Sequence, residues 1–185
     1  MEYEIDKIYN RRLHIHKKYG GQQQGGICTP AGAPFIFLFT GESGEQYGYS
    51  DGPDEDGVFL YTGEGQIGPM EFVRGNKAIR DHEVNGKDLL LFQALGKNRG
   101  YRFLGKYSCA NYEFRESPDR EGSMRKVIVF HLVNSDLEVA EQNEIDQITN
   151  YSSLSMEQLK KRAYEASNSN EGVAGKEAKM IYKKR

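Results

Sequence analysis

At 185 residues the chain has room for one domain and an appendage, and 37% hydrophobic content is low for a chain packed entirely into a core. No run of 18 apolar residues exists, and the charged start MEYEIDKIYN lacks the apolar stretch of a signal peptide, so a cytoplasmic protein is expected. A formal net charge of −2 excludes a uniformly basic binder, but the charges are segregated along the chain.

The first basic segment, residues 7–18, carries Lys7, Arg11, Arg12, Lys17 and Lys18, with Asp6 at its border. His14 and His16 lie inside it. On a strand the two rings would share a face, and His82 could add a third metal ligand. Nothing in the sequence brings the three together, so surface or phosphate-contacting histidines are the simpler reading. Residues 34–41, PFIFLFTG, form the first clear strand by their short apolar run. Residues 42–57 then hold Glu42, Glu45, Asp51, Asp54, Glu55 and Asp56 without a base. Within them QYGYSDG places Tyr47 and Tyr49 on one strand face just before Asp51. GPDEDG (52–57) reads as a turn.

GVFLYTG (57–63) is the next strand, and it leads into Gly63, Gly65 and Gly68 at the spacing G-x-G-x-x-G. A dinucleotide-binding loop needs a long crossover helix after those glycines. Here Pro69 and Gly75 interrupt any such helix, and the Glu64 carboxylate would repel a pyrophosphate. GNKAIRDHEVNG (75–86) reads as a short helix ending at Asn85-Gly86. KDLLLFQAL (87–95), YRFLGKYSCANYEF (101–114) and RKVIVFHLV (125–133) are further strands, with a turn at SPDREG (117–122). Residues 97–106 form a second basic segment, with Lys97, Arg99, Arg102 and Lys106 and no acid. Many strands with few short helices predict an α+β, mostly β domain.

After about residue 135 the composition turns acidic and helix-tolerant. LSMEQLKKRAYEAS (154–167) predicts a helix, with Ser155 and Gln158 in a capping box and Leu154 with Leu159 as a hydrophobic staple. NSNEGVAGKEAK reads as a flexible link. The expected organisation is a domain over 1–135 and a helical, charged linker over 136–185.

No HExxH, GxSxG or Cys-His nucleophile pattern occurs, and Cys28 and Cys109 sit in no metal-ligand spacing. The aromatics offer other chemistry. Two tyrosines from different segments can sandwich a flat ring, and a neighbouring carboxylate can accept from an exocyclic amine. Tyr49, Tyr61 and Asp51 are of those types. Core tyrosines of a β domain are the equal alternative.

The order of these motifs resembles the SRA (SET- and RING-associated, or YDG) domain over residues ~10 to 135. The series is RRLHIHKKYGGQQQGGI, FLFTGESGEQYGYSDG, DGVFLYTGEGQIGPMEFVRGNKAI, NGKDLLLF, YRFLGKYSCANYEF and RKVIVFHLV. It is most similar to the bacterial form found ahead of HNH nuclease domains in modification-dependent (type IV) restriction endonucleases. The YDG letters themselves diverge in LGKYSCANYEF.

The resemblance implies a PUA-like, crescent-shaped β-barrel that reads 5-methylcytosine, with 5-hydroxymethylcytosine as a further ligand, by flipping the base out of duplex DNA. Tyr49 and Tyr61 would sandwich the base. Asp51, with Asp54 as the alternative, would accept from the cytosine amine, and Thr62 would lie near the pocket floor. Arg74, Asn76 and Lys77 would enter a groove. Arg11, Arg12, His14, His16 and Lys17 would face the phosphates. The partner implied is duplex DNA carrying C5-modified cytosine, with no membrane, and a homodimer through the full-length protein is admitted. No cofactor is expected in this chain; a divalent metal would belong to an HNH domain outside it, so the chain itself would recognise and not cleave. A PUA-like reader of phosphorothioate DNA or modified RNA, and a nucleotide-binding enzyme, stay open as alternatives.

Overall fold

The computed structural model describes residues 2–41, 51–136 and 155–169. In the described residues the strands are β1 Ile8–Tyr9, β2 Ile27–Cys28, β3 Phe35–Thr40, β4 Gly52–Pro53, β5 Phe59–Thr62, β6 Asp88–Ala94, β7 Tyr101–Pro118 and β8 Met124–Asn134. They form one sheet in the order β2-β3-β6-β7-β8-β5-β4, with β1 on β7. The expected mostly β architecture is present, and each apolar run named above became a strand.

β3 and β6 run parallel, from Phe35 opposite Asp88 to Thr40 opposite Gln93, and the other described pairings are antiparallel. A parallel pair needs both faces covered. Alternation supplies two cores. Ile36, Leu38, Leu89 and Leu91 face the main core, with Tyr61, Ile79, Ile128, Phe130 and Leu132. Phe37, Phe39, Leu90 and Phe92 face a second core, with Tyr3, Ile15, Cys28 and Phe103. The second core is held by edge-to-face aromatic contacts, such as Tyr3 on Phe92 at 5.3 Å between centroids.

Residues 11–16 are not a strand. Arg11–His16 is a π-helical turn that runs into α1, Lys17–Tyr19. Asn10 caps it, its side-chain oxygen accepting from the Leu13 N–H at 3.0 Å. His14 and His16 therefore do not share a strand face. The expected helix at 75–86 is shorter, α2 spanning Arg74–Arg80 before a run of turns to Gly86.

α3, Met156–Ser169, begins with the expected capping box. The Ser155 N–H donates to Gln158 Oε1 at 2.8 Å, and the Gln158 N–H donates to Ser155 Oγ at 3.3 Å. Leu154, the other half of the expected staple, lies outside the described residues. Met156 and Leu159 are 6% and 2% exposed and sit in the main core, so the helix expected as linker starts as part of the domain. No described helix is long and apolar enough to cross a membrane.

Candidate functional site

Among the described residues, the two ends of the sheet meet without a backbone ladder. Tyr61 on β5 sends its hydroxyl across to the Gly26 carbonyl at 2.8 Å and to the Phe39 carbonyl at 3.4 Å. Asp51, just before β4, ties the same two ends. Its Oδ2 accepts from the Thr40 hydroxyl at 2.9 Å and its Oδ1 from the Thr62 N–H at 2.8 Å. Desolvation pushes the Asp51 carboxyl above its ordinary value, and the hydrogen bonds from Thr62 and Thr40 offset part of that rise. Asp51 and Thr62 are each partly exposed at this seam.

Asp54 has a different place. Its Oδ1 accepts from the N–H groups of Asp56 and Val58, both at 2.9 Å, and so builds the β4–β5 turn. Its carboxyl is also raised, chiefly by burial. Of the two candidate carboxylates, only Asp51 faces the seam.

Tyr61 lies inside the fold. Its ring is 1% exposed inside the main core, and its hydroxyl is bound across the seam. No face of that ring is open to a flat ligand in this structure. Tyr49, its expected partner, lies outside the described residues, as do Tyr47, Glu42 and Glu45.

Asn76 also lies inside the fold. It is buried and clamps the loop before α2: its Oδ1 accepts from the Glu64 N–H at 2.7 Å, and its Nδ2 donates to the carbonyls of Glu64 at 2.8 Å and Glu71 at 2.9 Å. The G-x-G-x-x-G spacing belongs to this clamp. A Cβ at Gly63 would stand 2.6 Å from Asn76 Oδ1. Glu64 accepts from the Gly75 N–H at 2.8 Å, which caps α2. The carboxylate that argued against a phosphate loop serves the helix end instead. Arg74 and Lys77, by contrast, are exposed on α2.

The two basic segments become one surface. β1 pairs with the start of β7, Ile8 opposite Arg102 and Tyr9 opposite Tyr101. An open cleft of about 860 Å³ lies there, lined by Arg11, Arg12, His16 and Lys97 among other residues, and by no acid among the described residues. Arg11 is fixed in it: its guanidinium lies 3.7 Å from the centre of the Phe39 ring, and its Nε donates to His16 Nε2 at 2.9 Å. That bond puts the His16 proton on Nδ1, which faces the Gly20 carbonyl at 3.0 Å. Phe39 links the cleft to the seam: its ring lies under the Arg11 guanidinium, and its carbonyl accepts from the Tyr61 hydroxyl at 3.4 Å.

His14 and Lys17 are exposed but do not line the cleft. His14 Nδ1 accepts from the Asn10 N–H at 2.8 Å. His82 is structural, with Nδ1 at 2.8 Å from the Lys87 carbonyl and Nε2 accepting from the Cys109 N–H at 3.0 Å. Among the described residues no group of three or more His, Cys, Asp or Glu could hold a metal. Sequence reasoning missed Thr40, which needs the folded seam to be seen. It also passed over Gln23, Gln24 and Asn98, which line the cleft. The glycine-flanked GGQQQGG was the visible signal for the two glutamines.

Comparison with solved structures shows the same fold at low identity. A ScoMcrA structure described as "Sulfur binding domain and SRA domain of ScoMcrA complexed with phosphorothioated DNA" matches with TM-score 0.58 and 21% identity, over 72% of this chain and 40% of that one. The SUVH5 SRA–hemimethylated CG DNA complex matches with TM-score 0.52 and 20% identity, over 72% of this chain and 90% of that one. The DNA modification-dependent restriction endonuclease AspBHI matches with TM-score 0.53 and 17% identity, over 74% and 43%. The chain thus spans less than half of the ScoMcrA and AspBHI chains. No curated protein matches it. The family model for the ScoMcrA-like SRA domain matches residues 5–152, and the chain belongs to that family.

Proposed function

We propose that this chain is a DNA-recognition module that selects duplexes carrying a C5-modified cytosine, 5-methylcytosine first, and directs a linked HNH nuclease to them. The observation that carries this is the cleft of Arg11, Arg12 and Lys97, lined by no acid among the described residues, beside the Asp51 seam, in a chain of the SRA family. The cations would neutralise backbone phosphates. The Asp51 carboxylate would accept from the exocyclic amine of cytosine and find no donor on the carbonyl of thymine. Arg74 and Lys77 on α2 would add contacts on the same duplex.

The relatives support the nucleic-acid reading without fixing the modification. The SUVH5 complex holds hemimethylated DNA, whereas the ScoMcrA complex holds phosphorothioated DNA and includes a sulfur-binding domain besides its SRA domain. A sulfur-modified backbone is therefore the second reading.

Fluorescence titration at matched salt decides between them, with plain, 5-methylcytosine, 5-hydroxymethylcytosine and phosphorothioate duplexes of one sequence. The proposal expects tighter binding of a C5-modified duplex. Preference for the phosphorothioate alone moves the function to the second reading, and equal binding of all four sinks both. Asp51→Ala should erase the preference and leave weak, salt-sensitive binding.

A further inference from the structure

The cleft holds more than cations. Asn10, Gln23, Gln24 and Asn98 give it amide side chains beside Arg12 and Lys97. Gln23 and Gln24 are exposed, and no hydrogen bond within the described residues holds their side chains. Asn98 projects from the β6–β7 hairpin with φ 63°, a left-handed conformation that Asn tolerates. The Asn10 side-chain oxygen already serves the Leu13 N–H, whereas a phosphate, which only accepts hydrogen bonds, would leave the acceptors of Gln23, Gln24 and Asn98 without a use. A base edge offering both a donor and an acceptor matches the amide, and the adenine edge in the major groove is such an edge.

The position of the glutamine loop fits this use. Its far end is pinned at the seam, where Gly26 receives the Tyr61 hydroxyl, and a Cβ on Gly26 would stand 2.7 Å from that oxygen. Gln24 and Gly26 lie two residues apart in a bend, with Gly25 at φ 85°, so at most about 7 Å separates them. That reach equals about two base steps of roughly 3.4 Å each. The loop therefore meets DNA one or two pairs away from whatever occupies the seam.

We propose that Gln23 and Gln24, with Asn98 across the cleft, read the base pairs flanking the recognised nucleotide and favour A·T there. This rests on the DNA-recognition reading above and adds sequence context to it. Arg12 and Lys97 supply phosphate contacts that are blind to sequence, and the amides supply the selection.

Selection from two duplex pools tests it, one with a single fixed 5-methylcytosine and one with plain cytosine, each with randomised flanks. The captured DNA is sequenced for the wild-type chain, for the double variant Gln23→Ala/Gln24→Ala and for Arg12→Ala. The expected result is enrichment of A·T at one or two flank positions by about fivefold or more, erased by the double variant. Arg12→Ala should weaken capture and keep the same profile. A flat wild-type profile, a G·C-enriched profile, or one the double variant leaves intact overturns the proposal. Equal capture of the two pools overturns the modified-cytosine reading instead, since the flank profile is scored within each pool.

Discussion

Two neighbouring residues on α2 separate fold from function. Asn76 satisfies three backbone groups in a buried site, whereas Lys77 is exposed. Removing a buried hydrogen-bonding side chain leaves its partners unsatisfied, at about 1–3 kcal/mol. Asn76→Ala should therefore lower Tm by several degrees in a thermal melt, and Lys77→Ala should leave Tm in place while weakening DNA binding. The sign at Asp51 is also fixed. Desolvation raises its folded-state pKa above the ordinary 3.8, so the folded chain binds the proton more tightly than the unfolded one. The carboxylate then costs stability above that raised pKa, and the cost is relieved as pH falls from it toward 3.8. Tm measured against pH for the wild type and Asp51→Asn checks this: the wild type should gain on the variant as pH falls through that window. A constant difference between the two would contradict it.

At the scale of elements, α3 carries a clear test. Leu159 is buried in the main core, and truncating a buried Leu costs about 2–5 kcal/mol. Leu159→Ala should lower Tm markedly, and Ser155→Ala, which removes only a cap, should cost about 1 kcal/mol. A solvated linker helix would show neither loss. The strands were legible in the sequence because apolar runs such as FIFLFT and DLLLFQA need no distant information. His14-x-His16 was misleading because the pattern LHIH alternates like a strand, while Asn10, four residues before His14, is the cap that winds it into a helical turn. The site was legible only in pieces. Both basic segments stood out, but their union depends on Ile8 pairing with Arg102, which no local pattern announces. Tyr61 carried the right residue type for a stacking wall, and its burial depends on Gly26 and Phe39 arriving from the other end of the sheet.

For the molecule as a whole, charge is the relevant quantity. With a net charge of −2, attraction to DNA must come from one face and not from the average. Affinity should fall steeply with salt, and Arg12→Ala should reduce the slope of log K against log[salt] by about 0.9, the value of one phosphate contact. Titrations of both chains across a salt series measure this, and an unchanged slope would remove Arg12 from the phosphate contacts. The short strands at the seam bear on a separate matter, the behaviour of the free protein at high concentration. β2 and β4, which end the sheet, are two residues each, and β4 contains Pro53, which has no N–H to donate. Among the described residues, neither terminal strand offers a second copy approaching edge-on a long open row of backbone groups to extend. The fold thereby resists aggregation by strand addition, the hazard that long exposed sheet edges carry.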